Sequence, residues 1–482
     1  MTRQGGSVSN QKPSIRQRQI RQGISWNVVN LFVNRGSAFL VRLVLAKLLL
    51  PEHFGLIAMV VTFLGLIQVF ADFGLRNALI QRKRDANSRL RYDSAFWFLA
   101  GTGIILTVLF IIIGTPMMIG FYGEPLLKDL VIIMGISILI SNLSIVPEIR
   151  LTRRMRFKQL VIAEISSTLI ASGIAIGMAW NDMGVWALAT QQVSAISLRT
   201  LLIAKFSKWR PRYHFTWTSL QDVIGFSAYM LGVQIIYFIR TNMDNFVVGV
   251  LLGASSLGIY TLAYMITENI RQQLSSVMTN VLLPVYSRMQ TNTPALKSHY
   301  LAFTRVMTLI LFPFSLSIVL YAKEIIHVLF NDAWQAAILP TKILALGGMA
   351  YALSGPSSEV LQGMGKAKLL FKIAALNICI IGLPLIWILT LVYGIPGAAV
   401  AMLITFIGIR LLIYKALKQI LDVSIKDIIW AAEPAIIATT LVVAFDLIIA
   451  RGKVLLGMPF LIIAFTTITL TYYQHKLKKQ RA

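Results

Sequence analysis

Long apolar runs, each broken by a short polar or basic segment, dominate the chain. Fourteen of them reach the roughly 20 residues that a helix needs to cross a bilayer. They are 25–50, 54–79, 93–119, 126–147, 159–180, 184–204, 225–252, 256–283, 299–322, 338–361, 369–391, 395–414, 431–449 and 454–473. Each is predicted to be a helix, because an open strand would leave backbone donors and acceptors unpaired in lipid. The run 256–283 is the most polar. It holds Glu268, Arg271, Gln272 and Gln273, and hydropathy alone would end it near Ile266. The pattern predicts an all-α integral membrane protein of about 14 transmembrane helices.

Composition excludes the soluble classes. Of 482 residues, 57% are hydrophobic and 13% are charged, with mean hydropathy +0.73. A soluble domain carries about 25% charged residues. An ordinary cytosolic enzyme, a disordered chain and a fibrous protein are all excluded. The single cysteine, Cys379, allows no intramolecular disulfide and no multi-cysteine metal site, and it reads as apolar filler. The first 24 residues are polar and basic, with no apolar core of a signal peptide, so the first run is expected to remain as a span.

Charge adds orientation. Lys and Arg total 45 against 19 acidic residues, a formal charge of +26. Such a balance suggests nucleic acid in a soluble protein. Here the basic residues sit between apolar runs, so the expected partner is the anionic inner leaflet and not nucleic acid. With the N-terminus placed in the cytoplasm, the cytoplasmic segments hold 31 basic residues and the outer ones four, with edge residues counted in the adjoining loop. The positive-inside rule therefore predicts a cytoplasmic (inner) membrane protein with both termini inside. The outer connections, such as Pro51–His53 and Asn181–Met183, leave no room for an extracytoplasmic catalytic domain.

The chain also repeats itself. LVLAKLLLPEHFGLIAMVVTF (43–63) parallels FVVGVLLGASSLGIYTLAYMI (246–266). Both read as an apolar helix, a break at Pro51 or Gly253, a short polar turn, and a Phe54-Gly55 or Leu257-Gly258 pair opening the next helix. NALIQRKRDA (77–86) parallels NVLLPVYSRMQ (280–290), an offset of 202–203. Span 7 thus maps on span 1 and span 8 on span 2, which supports keeping 256–283 as a span. Six spans separate the copies, so the repeat is parallel, about an axis along the membrane normal. The expected organisation is a basic segment 1–24, an N-lobe of six helices (25–204), a linker (205–224), a C-lobe of six helices (225–414), two further helices within 415–473, and a basic tail 474–482.

The segment FGLIAMVVTFLGLIQVFADFGLRNALIQRKR (54–84) resembles the polysaccharide-transporter family, the Wzx-type flippases of lipid-linked oligosaccharides, close to the WzxC branch. RTNMDNFVVGVLLGASSLGIYTLAY (240–264) resembles a second segment of that family. The resemblance implies a MATE-like fold of the MOP superfamily, with a central cavity bordered by spans 1, 2, 7 and 8. It implies a transporter and not an enzyme. Its substrate would be an undecaprenyl-diphosphate-linked oligosaccharide, carried from the inner to the outer leaflet. The flippase would act as a monomer beside polysaccharide polymerase machinery, with no cofactor. Asp72-Phe73-Gly74 spells a kinase motif by accident: no glycine-rich loop or phosphate-binding motif accompanies it.

An ionisable group near the bilayer centre costs roughly 2.5–3.5 kcal/mol on insertion scales, so each marks a candidate site. Span 1 carries Arg35 and Arg42, seven apart on one face. Span 2 carries Gln68, Asp72 and Arg76 in one stripe, with Asp72 and Arg76 spaced to pair. Span 7 carries Arg240 and Asp244, and span 8 carries Glu268 and Arg271. Arg35, Arg42, Gln68, Arg76, Arg240 and Arg271 are the substrate-binding candidates. Asp72, Asp244 and Glu268 are candidates for H+ or Na+ coupling or for ion pairing. With Lys47, the four spans hold six cations against three anions, which suits a lipid diphosphate. Arg199, Arg305 and Arg410 lie toward inner helix ends, where snorkelling to the leaflet is expected.

Other functions fit less well. A MATE-type exporter of drug cations calls for an acid-rich cavity. A membrane-embedded glycosyltransferase or polymerase calls for a catalytic acid or base on a sizeable outer loop. An ion channel calls for a filter, and nothing in the sequence resembles one.

Overall fold

The computed structural model describes residues 33–71, 75–81, 88–218 and 227–445. The predicted span 454–473, the start of 25–50 and the end of 431–449 lie outside the described residues. Among the described residues the fold is helical throughout, with no strand. The helices are α1 (Arg35–Leu48), α2 (Pro51–Ala71), α3 (Leu75–Gln81), α4 (Ser88–Leu109), α5 (Thr115–Tyr122), α6 (Leu127–Arg153), α7 (Phe157–Trp180) and α8 (Val185–Ser207). They continue as α9 (Ser227–Arg288), α10 (Thr293–Leu329), α11 (Ile338–Ser354), α12 (Ser357–Gly363), α13 (Ala367–Leu376), α14 (Leu383–Leu421) and α15 (Ile425–Phe445). Nine helical stretches among the described residues are long and apolar enough to cross a bilayer.

Breaks fall where the backbone chemistry demands them. Pro51 opens α2, where its missing N–H costs nothing. Gly253 divides α9 into two arms, 227–252 and 254–288. Its φ of 78° lies in the region that favours glycine. The second arm runs unbroken past Ile266 to Arg288, so the helix continues where hydropathy alone would have ended it.

The residues form two compact units. The first comprises the described residues up to Leu45 with Phe63–Ile119 and Pro125–Ile235. Its core between α3, α4 and α6 is built from Leu75, Leu79, Leu99, Val146 and Ile149, closed by Trp209. Asn142 on α6 donates to the Leu99 carbonyl of α4 at 3.1 Å, so a buried amide is satisfied across the helix pair. The second unit comprises Ala46–Thr62, Gly120–Glu124 and the chain from Ile236 onward. One of its cores joins Leu282, Tyr286, Leu296, Tyr300, Leu417 and Leu421 from α9, α10 and α14.

The start of α2 belongs to the second unit for a visible reason. Trp334, fully buried, donates its Nε1 to the Ala46 carbonyl at 2.8 Å and meets the Phe54 ring edge-on at 5.3 Å. The repeated hairpins then touch reciprocally. A Cβ on Gly55 would sit 1.7 Å from the Ala254 carbonyl oxygen, and one on Gly258 would sit 1.8 Å from that of Pro51. The offset of 203 converts Pro51 into Ala254 and Gly55 into Gly258. Each contact is therefore the other under the repeat, as in a two-fold interface. The paired Gly55 and Gly258 of the sequence repeat are the points of closest backbone approach.

Candidate functional site

Two clusters of charge are built into the helices, one in each unit. In the first unit, Glu148 lies in the last two turns of α6. Arg76 of α3 reaches its Oε1 at 2.5 Å, and Arg199 of α8 reaches its Oε2 at 3.0 Å. Arg199 also grips Glu164 of α7 at 2.5 Å. Two arginines and two glutamates thus tie four helices together. Arg199 does not snorkel freely but bridges two carboxylates, which corrects that expectation, and Arg76 is held by Glu148. The apolar window ends at Pro147, which placed Glu148 in a loop; the helix instead continues to Arg153.

In the second unit, Asp244 is buried on the first arm of α9. It accepts a hydrogen bond from Tyr260 Oη at 2.8 Å, across the Gly253 break. Glu268, also buried, pairs with Arg271 one turn later. Arg271 lies 5.0 Å from the Tyr351 ring centre and 5.3 Å from that of Phe406. Arg410 of α14 lies 4.6 Å from the same Tyr351 ring. Two guanidiniums therefore share one aromatic face system, a favourable arrangement when water is scarce. Arg410 has no carboxylate within salt-bridge distance among the described residues. Its neighbour Glu359 accepts instead from Thr279 at 2.9 Å. Arg410 was expected to snorkel; its packing on Tyr351 is the finding that corrects this.

The remaining candidates divide. Arg42 of α1 is exposed, and among the described residues no carboxylate lies within salt-bridge distance of it. Gln68 of α2 is exposed and Arg240 of α9 is half-buried. Asp72 and the side chain of Arg35 lie outside the described residues. The charge count of spans 1, 2, 7 and 8 does not include Glu148, Glu164 and Glu359, which lie on other helices; Glu148 and Glu164 pair with arginines. Tyr260 and Tyr351 were also missed, because neither carries a charge to flag it in a sequence. Among the described residues no cluster of three metal-ligating side chains occurs.

Comparison with known proteins agrees with this architecture. The chain is similar to the teichuronic acid biosynthesis protein TuaB of Bacillus subtilis, 29% identical over 63% of this chain and 63% of that protein. It is similar to the lipopolysaccharide biosynthesis protein WzxC of Escherichia coli, 25% identical over 74% of this chain and 73% of that one. Thus the chain spans just under two thirds of TuaB and about three quarters of WzxC. It is also similar to Agl15 of Haloferax volcanii, described as a probable low-salt glycan biosynthesis flippase, 22% identical over 94% of this chain and 96% of that one.

Among solved structures, the lipid II flippase MurJ in its inward closed conformation superposes with a TM-score of 0.76 at 15% identity. The match covers 94% of this chain and all of that one. An inward-facing multidrug resistance MATE transporter of the MOP superfamily superposes with a TM-score of 0.63 at 15% identity, over 82% of this chain and 98% of that one. These two establish the fold. The family described as "Polysaccharide biosynthesis protein" matches residues 44–339. That is more than half of the chain, and this multi-pass membrane protein belongs to the polysaccharide biosynthesis protein family.

Proposed function

We propose that the protein is a flippase for a lipid-diphosphate-linked oligosaccharide, carrying the repeat unit from the inner to the outer leaflet of the cytoplasmic membrane for polysaccharide assembly. Family membership supports the role in polysaccharide biosynthesis, and the relative Agl15 is described as a probable glycan biosynthesis flippase. The observation that carries the reading is Arg42: a guanidinium within a membrane helix, exposed, with no carboxylate to neutralise it among the described residues. Such a group is costly to keep in a membrane unless an anion visits it. Its planar fork suits phosphate oxygens, gripped two at a time.

In this reading Arg42 and Arg35 hold the diphosphate of an undecaprenyl-linked substrate within a cationic cavity that opens to each side in turn. The lipid tail stays in the bilayer. Gln68, Arg240, Arg271 and Arg410 are further candidates for contact with the substrate. Arg76, ion-paired to Glu148, is assigned to bracing the helices. Asp72, Asp244 or Glu268 would bind H+ or Na+ if transport is ion-coupled. Fourteen spans, cytoplasmic termini, a monomeric state and a polymerase as downstream partner complete the proposal. In cells lacking the protein, lipid-linked repeat units should accumulate on the inner leaflet, and the wild-type gene should clear them. Normal appearance of repeat units on the outer leaflet without the protein would end the reading.

A further inference from the structure

The ends of three helices in the first unit line an open basic cavity of about 820 Å³. Arg89 comes from the first turn of α4 and Arg150 from the last turn of α6. Lys205 and Lys208 come from the end of α8, and Arg210 from the segment after it. None of the lining residues is acidic. Arg89 and Arg154 both stand close enough to repel the Arg150 charge, and Asp93 is the carboxylate that offsets them. Asp93 is buried and already accepts from the Arg212 backbone N–H at 3.3 Å.

The cavity floor is built, not loose. The Arg150 guanidinium lies 5.2 Å from the Trp209 ring centre and 6.0 Å from that of Tyr92. Trp209 is 9% exposed and closes the hydrophobic core of the unit. Two donors at this floor, Arg150 Nη1 and Trp209 Nε1, are buried and have no hydrogen-bond acceptor. A buried donor without an acceptor is costly, about 1–3 kcal/mol, and that cost is removed when an acceptor binds. The chain after α8 is pinned to α4: Trp97 Nε1 donates to the Arg212 carbonyl at 2.8 Å, and Ser94 Oγ accepts from the Thr216 N–H at 3.0 Å.

The same segment marks the depth of the cavity. Tyr213, Phe215 and Trp217 are exposed, with Tyr213 stacked on Trp97 at 5.0 Å. Exposed aromatics of this kind gather at the headgroup level of a bilayer. Basic pockets between membrane helices at that level suit the phosphates of lipid headgroups.

We infer that this cavity is a binding site for the phosphate or diphosphate headgroup of a membrane lipid. The site is separate from Arg42 and Arg410 and does not depend on the transport reading, except for which face of the membrane it occupies. The phosphate can come from bulk anionic phospholipid or from a polyprenyl diphosphate carrier, and the test distinguishes the two.

Purified full-length protein is titrated with inorganic pyrophosphate, phosphatidylglycerol, a polyprenyl diphosphate and, as neutral control, phosphatidylcholine. Bound ligand is counted by native mass spectrometry. The variant Lys205→Gln/Lys208→Gln is compared with Lys415→Gln/Lys418→Gln, which removes the same charge from exposed positions on α14. The expected result is a roughly tenfold or larger loss of anion affinity in the first variant only, since each lost charged contact is worth a factor of this order. Where that variant does not purify as folded protein, Arg210→Gln at an exposed position reads the same loss. A preference for the polyprenyl diphosphate assigns the site to the carrier; equal binding of phosphatidylglycerol assigns it to the leaflet. Equal affinity in all variants, or equal loss in both double variants, overturns the site.

Discussion

The two charged clusters use the same residue types to opposite ends. In the first unit's cluster both arginines meet a glutamate on another helix: Arg76 and Arg199 converge on Glu148, and Arg199 also holds Glu164. The charges balance, and the ion pairs cross-brace α3, α6, α7 and α8. In the second unit Arg271 meets Glu268 on its own helix, one turn away. That pair joins no second helix. The contacts that do reach across are aromatic, from Arg271 and Arg410 to Tyr351. An aromatic face holds a guanidinium without cancelling its charge. The first cluster is therefore satisfied, and the second keeps a cation available to an anion.

Breaking the brace should have the largest effect. Removing one member of a buried pair costs about 3–5 kcal/mol. Glu148 is 13% exposed while its partners are about a third exposed, so the cost of Glu148→Gln is expected near 3 kcal/mol, discounted for screening. The loss should appear as a lowered thermal midpoint of the purified protein and a smaller folded yield. An unchanged midpoint would mean that the four residues do not brace the helices.

Arg410→Ala should separate the clusters. Export of polysaccharide per unit of folded protein should fall about tenfold or more, from loss of a charge-assisted contact to the substrate. Its thermal midpoint should move much less than that of Arg199→Ala. If Arg410→Ala instead unfolds the protein and leaves export per folded molecule unchanged, the second cluster is a brace as well.

The smallest effect concerns the shared ring. Tyr351→Leu should weaken the hold on both arginines by roughly 0.5–2 kcal/mol each. Tyr351→Phe keeps the ring face and should keep export near wild type. A Phe variant as impaired as Leu would show that the hydroxyl, not the ring, carries the contact.

What was legible in the sequence was what repeats locally or follows chain-long composition. Gly55 and Gly258 stood out because each sits after a helix break in the same register, and the structure shows why: neither position has space for a Cβ. The continuation of α9 past Ile266 was legible only through that repeat, since Glu268 and Arg271 lower its hydropathy. The partners of the charges were not legible. Arg76 and Glu148 are 72 positions apart, and Arg199 and Glu148 are 51 apart. No spacing rule reaches across such distances. Arg410 was misjudged because depth along a helix says nothing about which neighbour its side chain meets.

The most direct measurement of the central claim is leaflet exchange in reconstituted vesicles. Purified protein is placed in liposomes with a fluorescent lipid-diphosphate oligosaccharide, and the fraction reached by an external lectin is followed over time. Wild type should expose inner-leaflet substrate. Arg42→Ala should slow this about tenfold or more, Arg42→Lys should recover part of the rate, and Arg42→Glu should be slower than Ala because it repels phosphate. Equal rates for wild type, Ala and Glu in well-folded protein would contradict the claim that Arg42 meets the substrate's diphosphate.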